Sequence, residues 1–298
     1  MMNKKPVLIV GSIALDSIET SAGRRENLLG GSTTYALVAA GRSADVHVIG
    51  IVGDDFPAEG MEIYQRYASC LDGLVTASGP TFRWGGRYHA NGDNRTTLFT
   101  ELGVFAKFNP VLSSNDRNVA LVFLANIHPQ LQLSVIRQTD PAALIVTDTM
   151  NLWIDTTFDQ LARVIEKTDI LLINETEAQA LGNDMSLDQA AEKLKAMGPE
   201  TVVIKQGSKG ATLYTATEKI DIGIFPLKQV IDPTGAGDTF GGGFLAALAN
   251  GDNYTKALIN GSALASFCVE GFGIEQLVNC NAAELERRKE YLADTVST

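Results

Sequence analysis

The sequence predicts an α/β protein with a mostly parallel central sheet, helices on both faces of that sheet, and a small additional β-sheet that forms a lid. Two observations predict the main layer: the first strand, residues 7–10, is a continuous apolar run, and from residue 119 onward strand-like and helix-like segments alternate regularly. A third observation predicts the lid. Residues 81–89 alternate aromatic and polar side chains, which is typical of an antiparallel strand.

The remaining elements follow in chain order. After the strand at 7–10, residues 13–29 are mixed and polar, a helix covers 33–44, a strand covers 46–52 and a helix covers 61–71. Later strands are predicted at 119–125, 143–147, 170–173 and 202–205, with helices at 130–138, 157–167, 175–181, 187–197 and 239–250. Segments 211–215 and 222–226 predict antiparallel edge strands, and a last helical pair covers 254–270 and 282–294.

The lid is expected from about residues 13–29 and 74–108, within a single domain over residues 1–298. Residues 91–94 (Asn-Gly-Asp-Asn) predict a turn between the aromatic strand and a strand at 96–99. Phe82, Trp84 and Tyr88 would share one face of their strand. That face either covers a nucleobase or packs against the lid of another subunit. We slightly favour packing, which suggests a homodimer through the lid.

Composition and charge exclude several classes of function. The 298 residues contain 24 Lys and Arg against 35 Asp and Glu, a net charge of −11, which disfavours nucleic-acid and anionic-membrane partners. The sequence contains no run of eighteen apolar residues, so it predicts no transmembrane helix. The three cysteines form no CxxC and the three histidines form no HExxH, so we expect neither a disulfide framework nor a zinc site, and we expect a cytoplasmic protein.

The strongest local motif is the segment DPTGAGDTFGGG at residues 232–243. Gly235, Ala236 and Gly237 would let backbone N–H groups approach a ligand, and the helix that follows favours an anion at its N-terminus. A carboxylate beside an anion site, here Asp238, suits acceptance of a proton from an alcohol that attacks a phosphoryl group. The alternative is a glycine-rich turn capped by Asp238. The segment is neither a Walker A loop nor a GxGxxG fingerprint.

This segment resembles the C-terminal signature of the ribokinase-like (PfkB) carbohydrate and nucleoside kinases. Four further segments resemble that family in the same order along the chain: Val10-Gly11-Ser12 with Asp16, Gly30-Gly31-Ser32, the NxxE motif at 174–177, and Lys205 to Gly210. The matches span nearly the whole chain, so the resemblance implies a ribokinase-like fold.

The resemblance also implies residue roles. Asp238 would be the base, and Gly235, Ala236 and Gly237 would donate N–H groups to the phosphoryl oxygens. Asn174 and Glu177 would organise Mg²⁺ and its waters, and Lys205, Gly207 and Gly210 would line the ATP site. Asp232 and Thr234 match positions that hold a monovalent cation in the family, and the sequence leaves open whether this protein needs K⁺. Apart from the resemblance, Asn174 could simply end a strand and Glu177 could lie on a solvated helix. Lys205 could likewise be a surface lysine at a strand end.

Asp16 and Gly31 are the best candidates for contacts to the acceptor, because a carboxylate binds vicinal hydroxyls and a glycine lets a sugar ring approach the backbone. Asp16 is alternatively a turn residue. Asn126 follows a predicted strand, at the sheet edge where α/β proteins bind ligands, although its position favours a structural role over a direct contact.

We therefore predict an ATP-dependent, Mg²⁺-requiring kinase that phosphorylates a primary hydroxymethyl group of a sugar or ribonucleoside. The aromatic stretch favours a ribonucleoside, whereas Arg83, Arg87 and Arg95 would suit a phosphorylated sugar. The alternatives are a non-catalytic ligand sensor on the same scaffold and a nicotinamide-dependent oxidoreductase. The missing N-terminal fingerprint disfavours the latter.

Overall fold

A computed structural model of the protein describes residues 5–89 and 95–298. Its strands are β1 (Val7–Val10), β2 (Ala14–Thr20), β3 (Gly23–Gly30), β4 (Val46–Gly53), β5 (Cys70–Ala77), β6 (Phe82–Tyr88), β7 (Arg95–Glu101), β8 (Leu121–Leu124), β9 (Leu144–Asp148), β10 (Ile170–Asn174), β11 (Thr201–Lys205), β12 (Ala211–Tyr214) and β13 (Lys219–Ile222).

Its helices are α1 (Ser32–Ala40), α2 (Ala58–Tyr67), α3 (Ser114–Arg117), α4 (Pro129–Ile136), α5 (Asn151–Thr156), α6 (Phe158–Ile165), α7 (Glu175–Gly182), α8 (Leu187–Lys195), α9 (Ala236–Ala249), α10 (Tyr254–Cys268), α11 (Glu275–Val278) and α12 (Ala282–Ala293). Across the ranges that are described, every helix is too short or too polar to cross a lipid bilayer.

The central layer is a nine-stranded sheet in the order β13-β12-β11-β10-β9-β8-β1-β4-β5. The strands from β11 to β5 run parallel, and β12 and β13 add an antiparallel edge. This confirms the predicted α/β architecture. Because the carboxyl ends of parallel strands meet at one edge, the residues that end β9, β10 and β11 come together there.

Three buried helices on one face of the sheet set the position of the functional loops. α9 packs against both α1 and α10, and its buried Phe244 and Leu245 belong to the same apolar core as Val7 and Ile9 of β1. The N-terminus of α9 and the N-terminus of α1 consequently lie at the same edge of the sheet as the carboxyl ends of the parallel strands.

The small sheet has the order β3-β2-β6-β7, in which β2 and β6 are parallel and the other pairs are antiparallel. The predicted pairing of the aromatic strand with both its successor and the segment after β1 is thus confirmed. Asp16 of β2 is the register partner of Trp84 of β6, so both lie on one face. The predicted turn at 91–94 lies outside the described residues. Pairing of the edge strands β3 and β7 with a second copy stays a prediction.

Three predicted boundaries are wrong. The helix expected at 61–71 ends at Tyr67, because the chain then enters β5, which pairs with β4 in the large sheet. The lid therefore does not begin at residue 74; its strands are β2, β3, β6 and β7. The last edge strand is β13, which begins at Lys219, and not the predicted segment 222–226. It begins earlier because the turn before it is tight: the Thr215 N–H donates to the Glu218 carbonyl.

Candidate functional site

The loop at residues 235–237 forms the N-terminus of α9, as the sequence predicts. Gly235 caps the helix with φ of 73°, a left-handed conformation that favours glycine, and Asp238 lies in the first helical turn. The first N–H groups of a helix have no partners within it, so this end of α9 can bind an anion. Of the three predicted donors, the Ala236 N–H is already directed at the Pro233 carbonyl, 3.3 Å away.

Lys205 lies against this loop and is neutralised by a carboxylate that the sequence analysis did not assign. Its Nζ is 2.6 Å from Oδ2 of Asp148, the last residue of β9, and both side chains are largely buried. A Cβ atom placed on Gly237 would be 3.1 Å from the same Nζ. Lys205 therefore lies beside the α9 loop, and its contact to ATP stays a prediction.

Burial and mutual repulsion perturb the carboxyl groups at this edge. Burial, reinforced by the negative charge of Asp148, raises the pKa of Asp238 to about 7, with Lys205 acting in the opposite direction. The pKa of Glu177 is also raised to about 7 for the same two reasons. The pKa of Lys205 is raised because Asp148 and Glu177 outweigh its burial. Three acidic groups thus surround one ammonium, and an added divalent cation would relieve their repulsion.

Asn174 and Glu177 form a capping box at the start of α7. Oδ1 of Asn174 accepts the Glu177 N–H at 2.8 Å, and Oε2 of Glu177 accepts the Asn174 N–H at 3.0 Å. Each side chain thus has a structural role, which leaves the other Glu177 oxygen for a water or an ion. In the described part of the chain, the active-site carboxylates do not form a closed three-ligand cage. This geometry suits Mg²⁺, which retains waters and phosphate oxygens as ligands.

Asp16 occupies the opposite, lid-facing side of the site. It is buried in the N-terminal half of β2 and accepts the backbone N–H of Gly31, which precedes α1 with φ of 85°. Burial raises the pKa of Asp16 to about 7, and the charges of Asp232 and Asp238 add to that effect. These interactions place Asp16 within the electrostatic reach of the α9 N-terminus, and the predicted pair of Asp16 and Gly31 is brought together.

Asp232 and Thr234 connect the loop to the lid. Both oxygens of the buried Asp232 carboxylate accept backbone N–H groups, from Thr234 at 2.9 Å and from Gly273 at 3.1 Å. The Thr234 hydroxyl donates to the Tyr88 hydroxyl at 3.2 Å. Tyr88 of β6 therefore contacts the α9 loop directly. A K⁺ site at Asp232 and Thr234 stays a prediction.

Asn126, Gly207 and Gly210 have positions that serve the fold. The Asn126 amide is engaged at both ends, accepting from Trp153 Nε1 at 2.8 Å and donating to Met150 Sδ at 3.1 Å. Gly207 and Gly210 lie in the tight connection between β11 and β12, directly after Lys205. Contacts of these three residues to an acceptor or to ATP stay predictions.

The three lid arginines are not equivalent. Arg83 pairs with Asp55 at 2.8 Å and Arg87 pairs with Glu19 at 2.9 Å, so both charges are neutralised locally. The guanidinium of Arg95 lies 5.5 Å from the centre of the Trp84 ring. Its charge lowers the pKa values of Asp16, Glu177 and Asp238 against the effect of burial. Arg95 is therefore the lid cation of this trio that acts on the site.

Sequence reasoning missed Asp148, although a signal for it exists. An acidic residue directly after a buried apolar strand points to the ligand-binding edge of a parallel sheet. Its neighbour Gln132 was also missed: the buried Gln132 Nε2 donates to the carbonyls of Leu124, Ala125 and Asp148, and so holds the ends of β8 and β9 together. A glutamine on a helix carries no comparable signal.

Comparison with known proteins agrees with this geometry. A family model described as "pfkB family carbohydrate kinase" matches residues 105–278, more than half of the chain. The cytidine kinase of Thermococcus kodakarensis is 29% identical over 253 residues, which cover 82% of this chain and 89% of that protein.

Solved structures are similar over almost the whole chain. The Arabidopsis thaliana ribokinase complexed with ribose and ATP superposes with a TM-score of 0.78 at 23% identity, covering 97% of this chain and 99% of the other. The Burkholderia thailandensis nucleoside kinase in complex with inosine gives a TM-score of 0.78 at 19% identity, with 96% of each chain covered. At these identities the likeness shows the fold.

Proposed function

Since this chain belongs to the pfkB family of carbohydrate kinases, we propose that it transfers the γ-phosphoryl group of ATP to a primary hydroxymethyl group of a ribonucleoside. The observation that carries the phosphoryl transfer is the position of Asp238 in the first turn of α9, beside the loop at residues 235–237 and near Lys205. This arrangement joins a base, an anion-binding helix end and a cation. The family favours neither the ligand-sensor nor the nicotinamide-dependent alternative.

Asp238 acts as the general base in this proposal. It accepts the proton of the attacking hydroxyl while the hydroxyl oxygen forms a bond to the γ-phosphorus and the bond to the β,γ-bridging oxygen breaks. A pKa of about 7 suits this role, because the carboxylate is then a usable base near neutral pH. The N–H groups of Gly235 and Gly237 face the charge that develops on the phosphoryl oxygens.

The nucleotide end of the site would hold Mg²⁺ through Glu177 and through waters organised near Asn174. The metal would supply charge neutralisation for the phosphates. Asp148 has a different role: it holds the Lys205 ammonium at 2.6 Å, beside Gly237 of the loop. Lys205 in turn offsets part of the effect that the negative charge of Asp148 has on the pKa of Asp238.

The arrangement of the lid supports a ribonucleoside as the acceptor. Of the three aromatic side chains of β6, Phe82 stacks on Phe105 at 5.5 Å within the protein and Tyr88 bonds to Thr234, whereas Trp84 lies beside Asp16 on the inner face. Asp16 would accept hydrogen bonds from the ribose hydroxyls, and the half-buried Trp84 ring would stack on the base once the Arg95 guanidinium that lies over this ring moves aside. The similarity to a cytidine kinase points in the same direction.

A coupled ADP-release screen over ribonucleosides, ribose, fructose and sugar phosphates tests this proposal. We expect the highest kcat/KM with ribonucleosides. A higher value with a free sugar or a sugar phosphate would overturn the acceptor while leaving the phosphoryl transfer intact. Absence of ADP release with every acceptor, from folded protein with ATP and Mg²⁺ present, would overturn the phosphoryl transfer itself.

Replacing Asp16 with asparagine should raise the acceptor KM and lower kcat/KM for the acceptor by about 10- to 100-fold, because hydrogen bonds to a charged group contribute about 1.5–3 kcal/mol. The KM for ATP should not change. A 2′-deoxynucleoside should be a poorer acceptor than the ribonucleoside for the wild type and an equal one for the variant. Glu19→Gln is the matched control, since Glu19 lies on the same strand but pairs with Arg87. A loss confined to ATP would contradict the assignment.

Replacing Asp148 with asparagine should move the acid limb of the pH–kcat/KM profile to lower pH, by about one unit. The sign follows from charge: Asp148 disfavours the ionised form of Asp238, so its neutralisation makes the base available at lower pH. Lys205, freed from its partner, acts in the same direction. The surface variant Asp188→Asn, which loses an exposed pair with Lys219 and keeps an amide oxygen to accept from the Tyr214 hydroxyl, should leave the limb in place. A limb that stays fixed or rises in Asp148→Asn would refute this coupling.

A further inference from the structure

A second cluster of chemically reactive side chains lies far from the proposed active site. His47, at the start of β4, is the register partner of Cys70, the first residue of β5, and Asp116 of the short α3 faces them. One nitrogen, one sulfur and one oxygen from these residues lie within 4.8 Å of one another. Because β4 and β5 are parallel, their N-terminal ends lie at the sheet edge opposite the one that carries Asp148 and Lys205.

One distance within this cluster is close to that of a coordination shell, and the distances to the Cys70 sulfur are within 4.8 Å. Nδ1 of His47 is 2.9 Å from Oδ1 of Asp116. Ligand atoms bound to one tetrahedral Zn²⁺ at about 2.0–2.1 Å are separated by about 3.3 Å. An ion could therefore replace the His47–Asp116 hydrogen bond after these two groups separate by a few tenths of an ångström, a movement within the range of ordinary side-chain adjustment.

The Asp116 carboxylate is held in place by contacts that do not use its His47-facing oxygen. Oδ2 accepts the backbone N–H of Ser113 at 3.1 Å and the Ser113 hydroxyl at 2.6 Å. Asp116 is 1% exposed, whereas the His47 side chain is 15% exposed. Hydrogen bonds to the non-coordinating oxygen orient carboxylate ligands in metal sites. The partial exposure of His47 and of Cys70 gives an ion an entry path and leaves room for a water.

We propose that His47, Cys70 and Asp116 form a zinc site, with water as the fourth ligand. A thiolate and a carboxylate neutralise the two charges of Zn²⁺, and the imidazole supplies a neutral nitrogen. On binding, the Cys70 thiol releases its proton to solvent as the sulfur–metal bond forms, and the neutral His47 ring takes the tautomer with its proton on Nε2, so that Nδ1 can bind the metal in place of donating to Asp116. The thiolate selects against Mg²⁺, which prefers six oxygen ligands, so millimolar Mg²⁺ does not compete.

The bound ion would connect the edge strand β5 to the short helix α3. β5 is the edge strand of the large sheet, and Cys70 begins it; Asp116 belongs to α3, which lies on the other side of the cluster. Zinc would tie β5 to β4 and to α3, and would stabilise the folded chain because it binds the unfolded chain much less well. The three ligands lie far apart in the sequence, which is why their spacing predicts no zinc motif.

The test uses the full chain without nucleotide, stripped with a chelator, and then titrated with Zn²⁺ or Co²⁺ alone. We expect one saturable equivalent, a higher Tm, and for Co²⁺ a thiolate-to-metal charge-transfer band with tetrahedral d–d absorption. Cys70→Ser should abolish the charge-transfer band and weaken Zn²⁺ binding at least about tenfold. Cys280→Ser, the matched control, should keep the band, since Cys280 lies elsewhere in the fold.

Asp116→Asn is the second variant, because its amide oxygen can still accept from Ser113 and preserve the cap while the negative charge is lost. It should bind Zn²⁺ more weakly yet match the stripped wild type in Tm. The proposal is overturned if the wild type binds no Zn²⁺ at micromolar concentrations. It is also overturned if Cys70→Ser retains full affinity or if Cys280→Ser loses the band. Kinase activity enters none of these readouts, so the proposal stands or falls separately from the function proposed above.

Discussion

Replacing Asp238 with asparagine should lower kcat by about 10²- to 10⁴-fold, the range that a positioned general base supplies. The substitution keeps the shape of the side chain and removes its capacity to take a proton together with its negative charge. Binding of ATP and of the acceptor should persist, because the loop donors, Lys205 and Asp16 are unchanged. The measurements are steady-state kcat and equilibrium binding of each substrate. Turnover within a factor of a few of the wild type would rule out Asp238 as the base.

The stability of this variant separates lost chemistry from lost folding. Burial raises the pKa of Asp238 from its ordinary value of 3.8 to about 7, so ionisation is harder in the folded than in the unfolded protein. The group therefore costs stability as pH rises from about 4 towards 7, and the cost is complete above 7. At pH 8 the asparagine variant should have a Tm equal to or above that of the wild type. Asp252→Asn, beyond the far end of α9, serves as the control with full activity.

The sequence predicts the parallel strands of the central sheet well, because a strand that is buried on both faces is a continuous run of apolar residues. Strands such as β1 and β8 are continuous apolar runs, and helices such as α6 and α8 bury one face and so show a helical period. The missed strand β5 lacks that signal. As an edge strand it is half-exposed, with Asp72 and Gly73 in its interior, so its residues resemble the end of the preceding helix. The structure of β5 depends on its pairing with β4, and the local amino-acid composition does not predict that pairing.

The candidate site shows the same division between local and long-range information. Asp238 and its glycine loop are contiguous, so one segment predicts both the helix end and the base. The network around them is not contiguous: the Asp148–Lys205 ion pair joins the ends of β9 and β11, and Tyr88 reaches Thr234 from the lid. Such contacts depend on the order of strands in the sheets. The sequence identified Lys205 only as one residue of a motif, without the carboxylate that neutralises it.

Replacing Gly235 with alanine should affect both stability and activity more than any other single-methyl change in this loop. A Cβ atom at this position would lie 2.3 Å from carbons of the Tyr35 ring, which is buried in α1 and cannot move aside without disturbing the core. The φ of 73° is also unfavourable for alanine. We expect a loss of about 2–4 kcal/mol in the free energy of unfolding. A fall of about 10²- to 10³-fold in kcat should accompany it, as the displaced loop misdirects its N–H groups.

Gly237→Ala is the comparison that distinguishes the two causes of damage. Its Cβ atom would meet only the Lys205 ammonium, at 3.1 Å, and a lysine side chain can shift by a few tenths of an ångström at little cost. We expect this variant to unfold at nearly the wild-type denaturant midpoint while its kcat falls, because the methyl group occupies the space between the loop and Lys205. Equal midpoints for the two variants would show that the packing of Tyr35 against Gly235 does not fix the loop. The N–H groups of the α9 terminus would then owe their position to the helix alone.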